Sequence, residues 1–187
     1  YTVAIEQGYS PAIVMVDEPV EYVLPNGEKW VPQNYHRDYR GIVTLRDALE
    51  DSINIVAIKL LDQVGIKNVI NLIKKMGITT LVEDGRYNDL GLAPLALGGL
   101  THGVTVLEMA SAYGVFANQG IWVAPVAITK VVDSDGNVLD EYTPKQHKVL
   151  NEQTAYLIND MLRGVVERGT GQQANIGRPA AGKTGTA

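Results

Sequence analysis

Two short stretches carry residue types able to do chemistry. The first, Gly182-Lys183-Thr184-Gly185-Thr186-Ala187, places a cation, two hydroxyls and two glycines within five positions. Glycine lets backbone approach a ligand, lysine offers a compact ammonium with three donors, and a threonine hydroxyl both donates and accepts. That combination suits an anionic substrate. The second stretch, Ser52-Ile53-Asn54, sets a hydroxyl and an amide two positions apart in an otherwise apolar, helix-forming region. It has a plain structural role open to it as well, with Ser52 capping the helix that follows and Asn54 in its first turn.

The terminal stretch admits two incompatible readings. With the residues before it, Gly177-Arg178-Pro179-Ala180-Ala181-Gly182-Lys183-Thr184 matches G-x-x-x-x-G-K-[ST], the nucleotide phosphate loop. That loop needs a buried strand running into its glycines and a helix starting at the lysine, whose N-terminus completes the anion site. Gln173 to Pro179 is not strand-like, and Gly185 is a poor helix residue. Read forward, the same residues are Lys-Thr-Gly-Thr, a signature of penicillin-interactive serine enzymes.

Composition narrows the field. The chain has 187 residues, 45% hydrophobic and 20% charged, enough for one domain with a real core. A net charge of −5, with no run of lysine or arginine, provides no electrostatic footprint for nucleic acid or an anionic membrane surface. Without cysteine there is no disulfide, thiol catalysis or thiolate metal site. His36, His102 and His147 share no metal-ligand spacing and read as surface or packing residues, so no metal or other cofactor is expected. No apolar run approaches the ~18 to 20 residues of a membrane span.

The elements that must position these residues are mostly helical. Tyr1 to Gly8 reads as the end of a helix stopped by Gly8, and Ala12 to Leu24 as extended chain, followed by a turn at Pro25-Asn26-Gly27. Trp30 to Gly41 reads as an ordered loop whose aromatics line a groove or are buried beneath it. Thr44 caps a short helix carrying Leu45, Ala48 and Leu49 inward, with Asp47 in its first turn. A second helix puts Ala57, Leu60, Leu61 and Val64 on one side and ends at Gly65. A third runs from Ile66 to Met76, with Val69, Ile70 and Ile73 apolar and Gly77 as its stop.

Thr79 to Thr101 reads as a long irregular connection, of a length that is often functional. Thr105 and Glu108 form a capping box that opens a helix through Asn118. Its small and apolar residues Leu107, Ala110, Tyr113, Gly114 and Ala117 predict a buried central helix. Ala127–Asp133 and Val138–Tyr142 flank Ser134-Asp135-Gly136-Asn137 as a β-hairpin. Asn151 caps the clearest amphipathic helix, to about Arg168, with Leu157, Ile158, Met161, Leu162, Val165 and Val166 inward.

Taken together these residues are similar to the transpeptidase domain of class A, bifunctional penicillin-binding proteins. The resemblance runs through Ala4-Ile5-Glu6-Gln7-Gly8-Tyr9, Leu45-Arg46-Asp47-Ala48-Leu49, Ser52-Ile53-Asn54 and Leu97-Gly98-Gly99. It continues through Gly103 to Ala110, Ala112-Tyr113, Phe116-Ala117-Asn118, Gly169-Thr170-Gly171 and Gly182 to Thr186, essentially the whole chain. It implies an α+β, predominantly helical fold: the helical subdomain of a serine β-lactamase-like transpeptidase, a β-hairpin and the start of the Lys-Thr-Gly strand, in a single incomplete domain over 1–187. It also implies a peptidoglycan D,D-transpeptidase that cross-links stem peptides through a serine acyl-enzyme and is trapped by β-lactams.

On this likeness Ser52 relays protons to the leaving nitrogen, Asn54 holds the donor peptide and orients the lysines, and Lys183 keeps positive charge beside the nucleophile. Thr184, Gly185 and Thr186 form the strand that binds the substrate, with the threonine hydroxyls on its carboxylate. The family works outside the bacterial cytoplasmic membrane, anchored by a segment not found here. One departure matters: no serine in the chain has lysine three places on, since Ser10, Ser52, Ser111 and Ser134 are followed there by Ile13, Ile55, Gly114 and Asn137. The Ser-x-x-Lys nucleophile is therefore expected outside these residues, and the chain alone is expected to be inactive. A phosphate-loop nucleotide-binding protein and a non-catalytic cell-wall binding module are the alternatives.

Overall fold

The computed structural model describes residues 1–24 and 27–185. The order is α1 (Thr2–Glu6), β1 (Val14–Asp17), β2 (Tyr22–Val23), β3 (Lys29–Trp30), β4 (Gly41–Thr44), α2 (Leu45–Glu50), α3 (Asn54–Val64), α4 (Ile66–Lys75) and α5 (Leu92–Leu97). Then come α6 (Val106–Ala117), β5 (Ile121–Val123), β6 (Lys130–Val132), β7 (Val138–Glu141), β8 (Gln146–Lys148) and α7 (Glu152–Glu167), followed by a 3₁₀ turn at Gln172–Ala174. Helix dominates, as expected, and among the described residues the strands form four antiparallel pairs: β1 with β4, β2 with β3, β5 with β8, and β6 with β7.

The main core lies where α1, α2, α3 and α7 meet. Ala4, Leu45, Ala48, Val56, Leu60, Met161 and Val165 are at most 1% exposed there. A second cluster, Met76, Ile78, Ala112, Val115 and Leu150, sits under Trp122. The indole occupies the space a Cβ on Gly77 would need, 2.5 Å from Nε1, so this glycine serves close approach as well as the helix stop at φ +87°. His147 is a packing residue here, tilted against Trp122 with Nε2 donating to the Lys75 carbonyl at 2.9 Å.

Helix starts follow their caps. Thr44 Oγ1 accepts the Asp47 amide at 3.1 Å, and the Thr105–Glu108 capping box is complete in both directions. Asn151 stands at the N-cap of α7, but its side chain turns away to donate to Glu6 Oε1 at 2.8 Å, so it gives the helix no side-chain cap. The Ser134–Asn137 hairpin is present between β6 and β7, with Asp133 accepting the turn amides of Asp135 and Asn137. Of the turn expected at Pro25-Asn26-Gly27, the first two residues lie outside the described residues.

Several expectations are corrected. Helix α3 is buried on more than one side, since Ile55 and Ile58 are 0% exposed in addition to the expected face, of which Ala57 is only half-buried. Helix α5, within the stretch read as irregular, packs on α3 as well. Pro94 there falls in the first helical turn, where its missing amide costs nothing, and Gly98 closes the helix in the left-handed region at φ +81°. Helix α6 is not a buried central helix. Leu107, Ala110, Tyr113, Gly114 and Ala117 are exposed, and the buried positions are Ala112 and Val115 on the opposite side.

Candidate active site

The chain places Ser52 by a backbone device. Helix α2 ends at Glu50; the Ser52 amide then donates to the Leu49 carbonyl at 3.3 Å and the Ile53 amide to Ala48 at 2.9 Å. These two bonds define the Schellman closure, whose penultimate position takes a left-handed backbone and ordinarily glycine. The same closure uses Gly8 after α1 and Gly77 after α4, but after α2 the residue is Ser52, at φ +57°. A side chain there costs about 1 kcal/mol relative to glycine, so the hydroxyl is retained against the local preference. Ser52 is not the cap of α3; Ile53 holds that position without a side-chain bond.

The cap of α3 comes from elsewhere in the chain. Asn34, in the loop before β4, accepts the Ile55 amide on Oδ1 at 3.2 Å, while its Nδ2 donates to both oxygens of buried Asp17 at 2.8 and 3.0 Å. Asp17 also accepts the Arg40 amide at 2.9 Å. This clip folds the loop over the start of α3, where Asn54 Nδ2 donates to the Gln33 carbonyl at 3.0 Å. Tyr35 and His36, edge to face, are thereby set on the rim of an open cleft.

The opposite wall is the Lys183 segment. The Gly182 amide donates to the Leu162 carbonyl at 3.2 Å, holding this segment on α7. Lys183 Nζ then reaches Ser52 Oγ at 2.8 Å across 131 residues of sequence, and also lies 3.1 Å from Thr184 O and 3.3 Å from Thr184 Oγ1. Burial lowers the Lys183 pKa from the ordinary lysine value, which makes the ammonium a readier proton donor. An ammonium only donates, so Ser52 accepts from Lys183 and its own proton is free to point into the cleft. Charge on the lysine and a proton on the serine are thus arranged to serve a group that becomes basic in the cleft.

The α2 and α7 ends are locked behind this pair. Arg168 donates through Nε and Nη2 to the two oxygens of Glu50 at 2.7 and 2.5 Å, a two-point pair on a carboxylate that is 4% exposed. Gly164 makes room for it, since a Cβ there would lie 2.1 Å from Glu50 Oε1. The Thr170 amide donates to the Glu50 carbonyl at 3.0 Å, and Thr170 Oγ1 bonds Thr184 Oγ1 at 2.8 Å.

The family model for the penicillin-binding protein transpeptidase domain matches residues 2–187. The chain belongs to that family. Penicillin-binding protein 1A from Clostridium novyi is 37% identical over 185 residues, covering 94% of this chain and 21% of the relative. The protein of the same name from Aquifex aeolicus is 44% identical over 166 residues, covering 88% and 22%. The chain thus spans about a fifth of the length of the curated relatives it matches. Among solved structures, the D,D-transpeptidase domain of a peptidoglycan glycosyltransferase from Eggerthella lenta superposes with a TM-score of 0.78 at 25% identity, over 100% of this chain and 51% of that one. Penicillin-binding protein A from Mycobacterium tuberculosis, a ceftriaxone acyl-enzyme complex, shares the fold with a TM-score of 0.80 at 19% identity, covering 100% and 45%.

For a penicillin-binding transpeptidase domain the sequence-predicted residues fall as follows. Ser52, Lys183 and Thr184 are joined by hydrogen bonds. Asn54 and Gly185 line the same cleft, but Asn54 spends its amide on Gln33 rather than on Lys183. Thr186 lies outside the described residues. Lys183-Thr184-Gly185 pairs with no strand among the described residues. The phosphate-loop reading is not supported: neither a strand before Gly177 nor a helix at Lys183 is present among the described residues, and the lysine is turned to Ser52. The exposed face of α6 finds its place here, because Val106, Met109, Ala110 and Tyr113 line the cleft along with α5. Sequence reasoning assigns no site role to Thr170, Glu50 or Arg168; Gly169-Thr170-Gly171 reads there as the end of a helix and as one stretch of the family resemblance. No helix among the described residues is long and apolar enough to cross a membrane.

Proposed function

We propose that these residues form part of the acyl-transfer site of a peptidoglycan D,D-transpeptidase, the wall that binds the substrate carboxylate and moves the proton to the leaving nitrogen. The contact that carries this reading is Lys183 Nζ to Ser52 Oγ at 2.8 Å in an open cleft. In this reading a serine outside these 187 residues attacks the carbonyl of a stem peptide or a β-lactam, its hydroxyl proton passing to the lysine of its Ser-x-x-Lys motif. The carbonyl carbon–nitrogen bond breaks, Ser52 gives its proton to the departing nitrogen, and Lys183 restores the proton to Ser52. The ammonium also attracts the substrate carboxylate toward Thr184 and Thr186. Asn54 holds the donor peptide. The parent protein acts on stem peptides outside the cytoplasmic membrane, held there by a segment beyond this chain.

The test is covalent labelling with a fluorescent penicillin. The full-length protein is expected to label, and Lys183→Ala to reduce the labelling rate by about 10²-fold or more, as general acid and charge are lost together. Saturable ATP binding abolished by Lys183→Ala, with no labelling of the wild-type full-length protein, would overturn the proposal in favour of a nucleotide site.

A further inference from the structure

Thr170 occupies a position that ties both walls of the cleft, and its hydroxyl has a choice of partner. The amide donates to the Glu50 carbonyl at 3.0 Å, which fixes the residue to the end of α2, two positions before Ser52. Oγ1 lies 3.3 Å from that same carbonyl and 2.8 Å from Thr184 Oγ1, where either oxygen is able to donate. Thr184 Oγ1 also has Lys183 Nζ at 3.3 Å, and this contact runs one way because an ammonium cannot accept.

Each hydroxyl owns one proton and two acceptor sites, so two arrangements exist. In the first, Thr184 donates to Thr170 and Thr170 to the Glu50 carbonyl; every group is satisfied, but Thr184 has no proton to offer an anion. In the second, Thr170 donates to Thr184, which then accepts from both Thr170 and Lys183 and turns its own proton to the cleft. The Glu50 carbonyl keeps the Thr170 amide in both, so the exchange leaves no buried acceptor unpaired.

We infer that Thr170 is a positioning residue that aims the Thr184 hydroxyl, switching it from an internal donor to a donor for the substrate carboxylate when an anion enters the cleft. This rests on the reading above, in which Thr184 faces that carboxylate. Two hydroxyls in series polarise one another, so the proton that Thr184 offers is stronger than that of an isolated threonine.

The test compares acylation of the full-length protein by a penicillin and by its methyl ester. Thr170→Val keeps the shape and the backbone bond to Glu50 but removes the donor. It is expected to lower acylation efficiency for the free acid roughly fivefold to tenfold, the equivalent of one hydrogen bond, while changing that for the ester less than about twofold. Thr170→Ser restores the acid preference, since it returns the hydroxyl. Where valine is not tolerated, as read from the thermal midpoint, Thr170→Ala makes the same comparison with a smaller side chain. Equal losses for acid and ester, no loss for either, or failure of serine to rescue overturns the inference. A wild-type protein that acylates acid and ester alike overturns the carboxylate reading of Thr184 itself, whatever the Thr170 variants do.

Discussion

Replacing Gly169 by alanine probes the joint between α7 and the serine-bearing end of α2. A Cβ built on Gly169 would lie 2.3 Å from the Glu50 carbonyl oxygen and 2.9 Å from its carbon. Close carbon–oxygen contacts run at about 3.3 Å, so the two segments must part by about 1 Å. Both atoms belong to backbone inside a helix end, so no side-chain rotation relieves the clash. Separation stretches the 3.0 Å bond from the Thr170 amide to Glu50 and pulls on the two-point Arg168–Glu50 pair.

Overpacking by one methyl and the loss of a hydrogen bond together cost about 2–4 kcal/mol. The site suffers separately: Thr170 carries Thr184 with it, and misplacement of this size lowers rates by up to about 10²-fold. Chemical unfolding and penicillin acylation rates of the full-length protein measure the two effects. Gly114→Ala is the control. It lies in the interior of α6 with nothing within 4 Å of its added Cβ, and helix propensity alone predicts a gain of about 0.5–1 kcal/mol. A Gly169→Ala protein that unfolds and acylates like wild type would refute the view that α2 and α7 are held in contact at this point.

Three further outcomes follow from the same geometry. Ser52→Gly relieves the left-handed strain at φ +57° and is expected to stabilise the protein by about 1 kcal/mol while removing penicillin acylation, whereas Ser52→Ala loses activity without the gain; denaturation midpoints separate them. Because burial depresses the Lys183 pKa, the alkaline fall in acylation sets in below the ordinary lysine value; between the folded and unfolded pKa values the unfolded chain binds more protons, so stability rises with pH there, and Lys183→Met flattens both dependences. Glu108 accepts the Thr79 amide and hydroxyl and the Thr105 hydroxyl, which hold its pKa down to about 2 from 4.5. Its contribution is full above the unfolded value and fades as pH falls toward 2. Amide exchange at Thr79 and Thr105 therefore accelerates over that acid range, beyond the intrinsic rate change, and Glu108→Gln abolishes the dependence.

Helix ends were the most legible feature of the sequence, because caps and stops are local chemistry. Thr44, the Thr105–Glu108 box, Gly65 and Gly77 all act where the sequence predicts. The short strands were not legible: β4, β5 and β8 span three or four residues each, and their partners come from segments far along the chain. What makes three residues a strand is the neighbour, and periodicity carries no trace of it. Helix α5 was hidden by Pro94 and flanking glycines, which mark breaks in one context and a first turn and a C-cap in another. The face of α6 was misread because small and apolar residues suit a buried helix and a cleft wall equally well. At the site, Ser52 and Lys183 were singled out together through family resemblance, since nothing in their spacing joins residues 131 apart. Thr170 and Gly164 act by fitting against Glu50, a relation that exists only after α2 and α7 have packed.

The residue to which a β-lactam becomes attached tests the roles of Ser52 and Lys183 most directly. Mass-spectrometric mapping of the penicilloylated full-length protein is expected to find the adduct on a serine outside these 187 residues, in a Ser-x-x-Lys setting, and the 187-residue chain alone is expected to remain unmodified. An adduct on Ser52, or labelling of the isolated chain, would contradict the division of labour in which Ser52 and Lys183 move the proton and another serine forms the bond.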